Sequence, residues 1–116
     1  MIMVQAIVRP EKVHFVMKAL LDGGFPAVTK MDVFGRGKQR GLKVGEVVYD
    51  ELPKELLLVV ASEEDQPAIV STILRAARTG DKGAMGDGKI FITPVDESYT
   101  ISSGAKDEPK IQEVAA

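Results

Sequence analysis

The chain reads as an α+β domain: a strand, a helix, two strands, a second helix and a final strand. Three observations predict this. Apolar runs of strand length stand at Ile2–Val8, Ala27–Phe34, Glu55–Ala61 and Ile90–Ile92. After the first and the third of these, apolar residues recur at helical spacing. Glycine, proline or an acidic cluster marks each point where the chain must turn or start a helix.

Taken in order, Ile2–Val8 is apolar apart from Gln5, which suits a strand buried on both faces. Arg9-Pro10 punctuates it. From Glu11 onward Val13, Val16, Met17, Leu20 and Leu21 form a helical stripe, and Gly23-Gly24 supplies a C-cap. Ala27–Phe34 alternates, with Thr29, Met31 and Val33 on one face and Lys30 and Asp32 on the other, as a half-exposed strand does. Gly35 to Pro53 has no settled period and mixes apolar with charged residues, as a partner-binding loop would. Leu56 to Val60 is apolar throughout, the pattern of a fully buried strand. Ser62-Glu63-Glu64-Asp65 signals a helix start; Ile69, Val70, Ile73, Leu74 and Ala77 form its inward stripe, and Thr79-Gly80 closes it. Pro94 stops the Ile90–Ile92 strand, Tyr99–Ile101 is a candidate short edge strand, and residues 102–116 read as a mobile tail. The order is the split βαβ pattern of a ferredoxin-like βαββαβ sandwich, with a long loop between its second and third strands. Two helices cover one sheet face only, so strands apolar on both faces imply a second cover, most simply another copy of the chain.

Composition narrows the chemistry. At 116 residues, 45% hydrophobic and 28% charged, this is an ordinary single domain over 1–116. A net charge of -2 gives no general attraction to nucleic acid or anionic membrane. Without cysteine there is no disulfide, thiolate nucleophile or cysteine-bound metal. His14 is the only histidine, so any Ser/His/Asp triad would have to be built around it. No apolar stretch approaches bilayer-spanning length, and a cytoplasmic location is the expectation.

Two glycine-rich stretches carry the functional signal: 35–41, Gly-Arg-Gly-Lys-Gln-Arg-Gly, and 79–89, from Thr79-Gly80 to Gly86-Asp87-Gly88-Lys89. Glycines let a loop turn its N–H groups inward, and adjacent lysine or arginine supplies the charge that phosphate or carboxylate attracts. Either loop alone could be only a glycine-rich turn; two in so short a chain favour anion binding. Arg36, Lys38, Arg40 and Lys43 form either a solvated charged face or an electrostatic part of that site.

These residues resemble the PII nitrogen-regulatory signalling family from about Val4 to Gly104. The resemblance is carried by Thr29, the Gly35–Gly41 loop with Gln39, Leu52-Pro53-Lys54, Arg78-Thr79-Gly80 and Gly86-Asp87-Gly88-Lys89-Ile90-Phe91. The family separates its Thr-Gly and Gly-Asp-Gly-Lys-Ile-Phe segments by two residues, whereas five, Asp81 to Met85, stand between them here. That insertion, the shortened central loop and the form of its base are most similar to the nitrogenase-regulating branch, and to the first member of its pair of related proteins.

The resemblance implies a trimer that is not an enzyme, with ATP or ADP competing for clefts between subunits and 2-oxoglutarate joining ATP and Mg2+ at the base of a central effector loop, about 37–53. Thr29, Gly35, Gly37, Lys38, Gly86, Asp87, Gly88 and Lys89 would then bind nucleotide, Thr29 beside the adenine near Leu58 and Val60. Lys38 stands where the family generally has arginine, keeping the charge without the bidentate fork. Gln39, Arg40, Gly41 and Lys54 would bind 2-oxoglutarate, with the Gln39 carbonyl also ligating Mg2+. The Asp87 carboxylate repels phosphate, so a turn-stabilising bond to backbone is its simpler role. Val44, Val47, Val48 and Tyr49 would anchor the loop on a partner, which the branch resemblance makes the dinitrogenase component of nitrogenase. Two departures accompany this. Thr100 and Ser102 occupy positions where relatives commonly carry phosphate-binding arginines, and Lys82, Lys106 or neither compensates. Val47 aligns with the tyrosine that some relatives present for uridylylation, so small molecules alone would set the state.

Other readings are a PII-type regulator of another nitrogen-metabolism target, and a small ferredoxin-like phosphate-transfer enzyme. The second lacks an obvious activated nucleophile, and His14 falls outside both glycine loops. Single-strand nucleic-acid binding is weaker, because four Phe, two Tyr and no Trp leave little to stack bases on.

Overall fold

A computed structural model describes residues 1–36, 42–44, 47–49 and 51–108. The elements are β1 (Ile2–Val8), α1 (Val13–Asp22), β2 (Thr29–Gly35), β3 (Leu42–Val44), β4 (Val47–Tyr49), β5 (Leu52–Ala61), α2 (Gln66–Ala77) and β6 (Gly88–Pro94). Four strands form an antiparallel sheet in the order β2-β5-β1-β6, and β3 pairs with β4 in a separate two-stranded ribbon. This is the α+β, ferredoxin-like arrangement that the order of segments predicts.

The core lies between the helices and one sheet face. Val4, Ala6 and Val8 of β1 and Leu57, Val59 and Ala61 of β5 are buried with Val13, Val16 and Leu20 of α1 and Ile69 and Ile73 of α2. Burial therefore alternates along β1 and along β5 from Leu57 onward. Met3, Gln5, Ile7, Leu56, Leu58 and Val60 lie between these positions, half-buried on the other face, with Met31 and Phe91 exposed beside them. The strands read as buried on both faces are thus buried on one within a single chain.

Helix ends follow local chemistry. Gly24, at φ +93, closes α1: its N–H donates to Leu21 O, and the next N–H, of buried Phe25, donates to Leu20 O. That pair of bonds is the Schellman pattern, which favours glycine at the left-handed position. Both helix starts lie a few residues later than the sequence signals suggest. Pro10 and Pro67 fit the first turn, and 3-10 turns at Pro10–Lys12 and Glu63–Asp65 precede the α-helices. Ser62 donates its hydroxyl to the Asp65 carboxylate and makes no side-chain cap to the backbone. The second helix ends at Ala77, before Thr79-Gly80, with Arg78 already extended.

Pro53 sits within β5 at little cost. It pairs with Phe34 of β2 but lies beyond the end of the β1 pairing, where no partner awaits its missing N–H. After β6, residues 98–107 fold back on themselves. The Asp107 carboxylate accepts the hydroxyls of Ser98 (2.8 Å) and Thr100 (2.6 Å), its N–H donates to Ser98 O, and Tyr99 bridges to Lys106. Tyr99–Ile101 thus contributes one bridge and no edge strand.

Asp32 and Glu55 are direct cross-strand partners. A hydrogen bond with Asp32, burial and the Asp32 charge push the Glu55 carboxyl up, with Lys30 opposing, and Glu55 Oε2 is buried with no partner. A carboxyl with a raised pKa in the folded state contributes stability that is present below the ordinary glutamate range and is lost as pH rises through the folded value. Glu55→Gln should therefore raise Tm near neutral pH, an advantage that thermal denaturation will show vanishing in acid.

Candidate anion-binding site

The connection from α2 to β6 is organised around one carboxylate. Asp87 accepts hydrogen bonds from Thr79 N (3.0 Å), Thr79 Oγ1 (2.6 Å), Ala84 N (2.8 Å) and Arg9 Nε (2.9 Å). Its burial alone would raise the pKa, but the bonds from Thr79, Ala84 and Arg9 outweigh that and hold the carboxyl well below the usual range. Arg9 Nη2 also donates to Met85 O at 2.8 Å, and Lys54 Nζ to Gly86 O at 2.6 Å. Two cations, one just past the end of β1 and one within β5, thus hold consecutive loop carbonyls. At the end of the loop Gly88, at φ +120, pairs with Val8, and a Cβ there would collide with the Ile7 carbonyl.

Beneath this loop lies a cleft of about 410 Å³ at the end of the open sheet face. Its apolar lining comes from Ile7, Leu52, Met85 and Phe91, and its glycines are Gly35, Gly86 and Gly88. Its charged groups are Arg36, Lys54 and Lys89, and no carboxylate among the described residues lines it. Burial, then the neighbouring Arg9 charge, pull the Lys54 ammonium below its ordinary pKa, against opposing pulls from Glu11 and Asp87. Three cations, glycine backbone and a partly apolar wall suit an organic anion.

Gly35, Lys54, Gly86, Gly88 and Lys89, named from the sequence, are brought together in this cleft. Asp87 shapes the loop with its carboxylate fully engaged by donors. Thr29 lies opposite Leu58 on the open face; Leu58 is four residues along β5 from Lys54, about 13 Å at strand rise. Gly37, Lys38, Gln39, Arg40 and Gly41 lie outside the described residues. The backbone register of the ribbon sets Val44 opposite Val47, Lys43 opposite Val48 and Leu42 opposite Tyr49. Lys82 is exposed and does not line the cleft; the insertion contributes Met85 there. His14 stands exposed on α1, edge-on to Phe15. Arg9 carries no sequence signal of a role, reading only as punctuation before proline, and Phe91 reads as a strand residue at the end of the Gly86–Phe91 segment, with no ligand role assigned to it. Among the described residues no three His, Asp or Glu side chains are grouped to hold a metal, and no helix is long and apolar enough to cross a membrane.

The family profile described as "Nitrogen regulatory protein P-II" matches residues 1–105. The chain belongs to this family. It is 50% identical over 102 residues to the "Nitrogen fixation nifHD region GlnB-like protein 1" of Methanothermococcus thermolithotrophicus, covering 88% of this chain and 94% of that one. The protein of the same description from Methanothermobacter marburgensis is 50% identical over 99 residues, 85% of this chain and 91% of the relative. "Nitrogen regulatory protein P-II 2" of Methanothermobacter thermautotrophicus is 42% identical over 103 residues, with 85% and 87% covered. This P-II chain is accordingly a nitrogen regulator related to the nifHD-region GlnB-like proteins, a family of regulatory signalling proteins.

Proposed function

We propose that this P-II chain is a non-enzymatic, cytoplasmic sensor of nitrogen status that binds ATP or ADP and 2-oxoglutarate and regulates nitrogenase by ligand-controlled docking of its central loop. One observation carries the reading: four separate segments converge on a cleft with three cations and, among the described residues, no carboxylate. Polyphosphate fits that donor set, with Gly86 and Gly88 allowing close backbone approach and Lys89 and Arg36 supplying charge. Thr29 and Leu58, which pair with each other about 13 Å along the strand, would meet the base. Mg2+ would neutralise the phosphates, with the Gln39 carbonyl as the chain's ligand. Lys54, together with the Gln39–Gly41 stretch, would take 2-oxoglutarate, since its ammonium retains two further donors beside its bond to Gly86.

The open sheet face supports a homotrimer or a mixed assembly with a paired relative. Its row of half-buried apolar residues is a surface that one chain leaves uncovered. The target assignment is supported by the nitrogen-fixation descriptions of the relatives. In this reading low 2-oxoglutarate leaves the loops, with Val44, Val47, Val48 and Tyr49, free to engage the dinitrogenase component. ATP and 2-oxoglutarate release them, provided that they bind the released conformation more tightly.

Calorimetric titration of ATP and Mg2+, with and without 2-oxoglutarate, tests the sensor. Wild type should show mutual tightening, about tenfold for a coupling of ordinary size; Gln39→Ala should keep ATP binding and lose the tightening. ATP turnover without a 2-oxoglutarate effect would replace this reading with phosphate-transfer chemistry.

A further inference from the structure

Arg9 stands outside both glycine loops, yet the sheet register brings it to the second of them. Val8 pairs with Glu55 on one side and Gly88 on the other, so the next residue falls beside Lys54 and Asp87. From there its guanidinium makes two bonds, Nε to Asp87 Oδ1 at 2.9 Å and Nη2 to Met85 O at 2.8 Å. The two side chains are 28% and 18% exposed, a partly desolvated pair, unlike the other two described ion pairs, whose side chains are half-exposed or more. Asp87 in turn fixes Thr79 and Ala84, on either side of Gly80–Gly83 in the loop whose spacer is five residues long where the family has two.

We propose that Arg9 is a positioning residue for the nucleotide part of the anion site: through Asp87 and the Met85 carbonyl it sets the conformation of residues 79–88, and so the placement of Gly86, Gly88 and Lys89, without itself contacting the bound nucleotide. Planarity matters here. The two acceptors are held by two nitrogens of one rigid fork, which a lysine cannot reproduce. Lys54 holds Gly86 O from the same side, so the loop is gripped at consecutive carbonyls and its shape exists before any ligand arrives. Preorganisation of this kind spares the binding step the cost of ordering the loop.

The inference rests on the cleft being the nucleotide site, and two measurements separate its failure from the failure of that reading. Without ligand, amide exchange followed by NMR reports on Thr79 and Ala84, whose N–H groups donate to Asp87. Arg9→Gln should speed both by about tenfold, Arg9→Lys by less, while the amides of Val4 and Leu57 in the sheet stay protected. With ligand, Mg-ATP affinity should fall by about tenfold in Arg9→Gln, and in an Asp87→Ala background the same change should cost clearly less, because its main contact is already gone. Unchanged exchange at Thr79 and Ala84, or full additivity with Asp87→Ala, would overturn the proposal. Loss of protection throughout the sheet would also overturn it, making Arg9 a general stabiliser. Wild type that fails to bind Mg-ATP refutes the nucleotide reading, and the exchange measurement still decides whether Arg9 sets the loop.

Discussion

Gly88→Ala is expected to unseat the start of β6 and abolish anion binding, whereas Gly35→Ala should leave the fold intact. The two glycines line the same cleft but for different physical reasons. At Gly88 the backbone lies at φ +120 and an added Cβ would strike the Ile7 carbonyl, a backbone atom of the central strand β1 that cannot step aside. An L-residue forced there adds strain to overpacking, together about 3 kcal/mol. That corresponds to a fall in Tm on the order of 10 °C. At Gly35 φ is not positive, and an added methyl would meet no described atom within 4 Å, so nothing in the chain itself demands glycine. If its role is to let phosphate approach the backbone, Gly35→Ala will keep the wild-type Tm and weaken Mg-ATP. Differential scanning calorimetry and isothermal titration on both variants make the comparison. A Gly88→Ala protein with wild-type Tm would refute the close-approach argument.

Much of the topology is legible in the chain because the strand and helix periods are clean and their separators strong. The reading goes astray where a period is ambiguous or where partners are distant in sequence. Leu56 to Val60 is apolar at every position, so its pattern cannot say that one face is left open in a single chain. Val44, Val47 and Val48 are β-branched residues within a stretch of no settled period, and the β3–β4 ribbon becomes evident only from its pairing. The Thr79–Lys89 loop announces an anion site through its glycines, and the expectation that Asp87 braces the turn agrees with its four donors. What holds that loop is not announced. Arg9 and Lys54 reach it only through the β1–β5 and β1–β6 registers, and no local pattern links residue 9 to residue 87. The closure of 98–107 on Asp107 escapes notice for the same reason: its partners are single hydroxyls nine and seven residues away.

Removing the Asp87 carboxylate should disorganise the loop more than any other side-chain truncation there, and a graded series shows why. Oδ2 accepts two backbone N–H groups, those of Thr79 and Ala84, while Oδ1 accepts the Thr79 hydroxyl and Arg9 Nε. Asparagine can keep its carbonyl on the two N–H groups and let its amide face the Thr79 hydroxyl, which can reverse and accept; only Arg9 Nε then meets a donor. Asp87→Asn should therefore lose chiefly the Arg9 link. Alanine strands all four donors, and with charge-assisted bonds among those lost the cost should reach about 3 kcal/mol, with water recovering the remainder at this partly exposed site. The pH dependence has a definite sign. A carboxyl held below its ordinary range contributes stability that is present above that range and is lost as pH falls through the folded value. The gap in Tm between wild type and Asp87→Ala should thus be widest near neutral pH and narrow in strong acid. The Glu55→Gln difference also fades in acid, but there the variant, not the wild type, holds the advantage. Thermal melts across pH, read with amide exchange at Thr79 and Ala84, check the order wild type, Asn, Ala; an Asn variant as loose as Ala would mean that the Arg9 link, and not the backbone N–H pair, carries the loop.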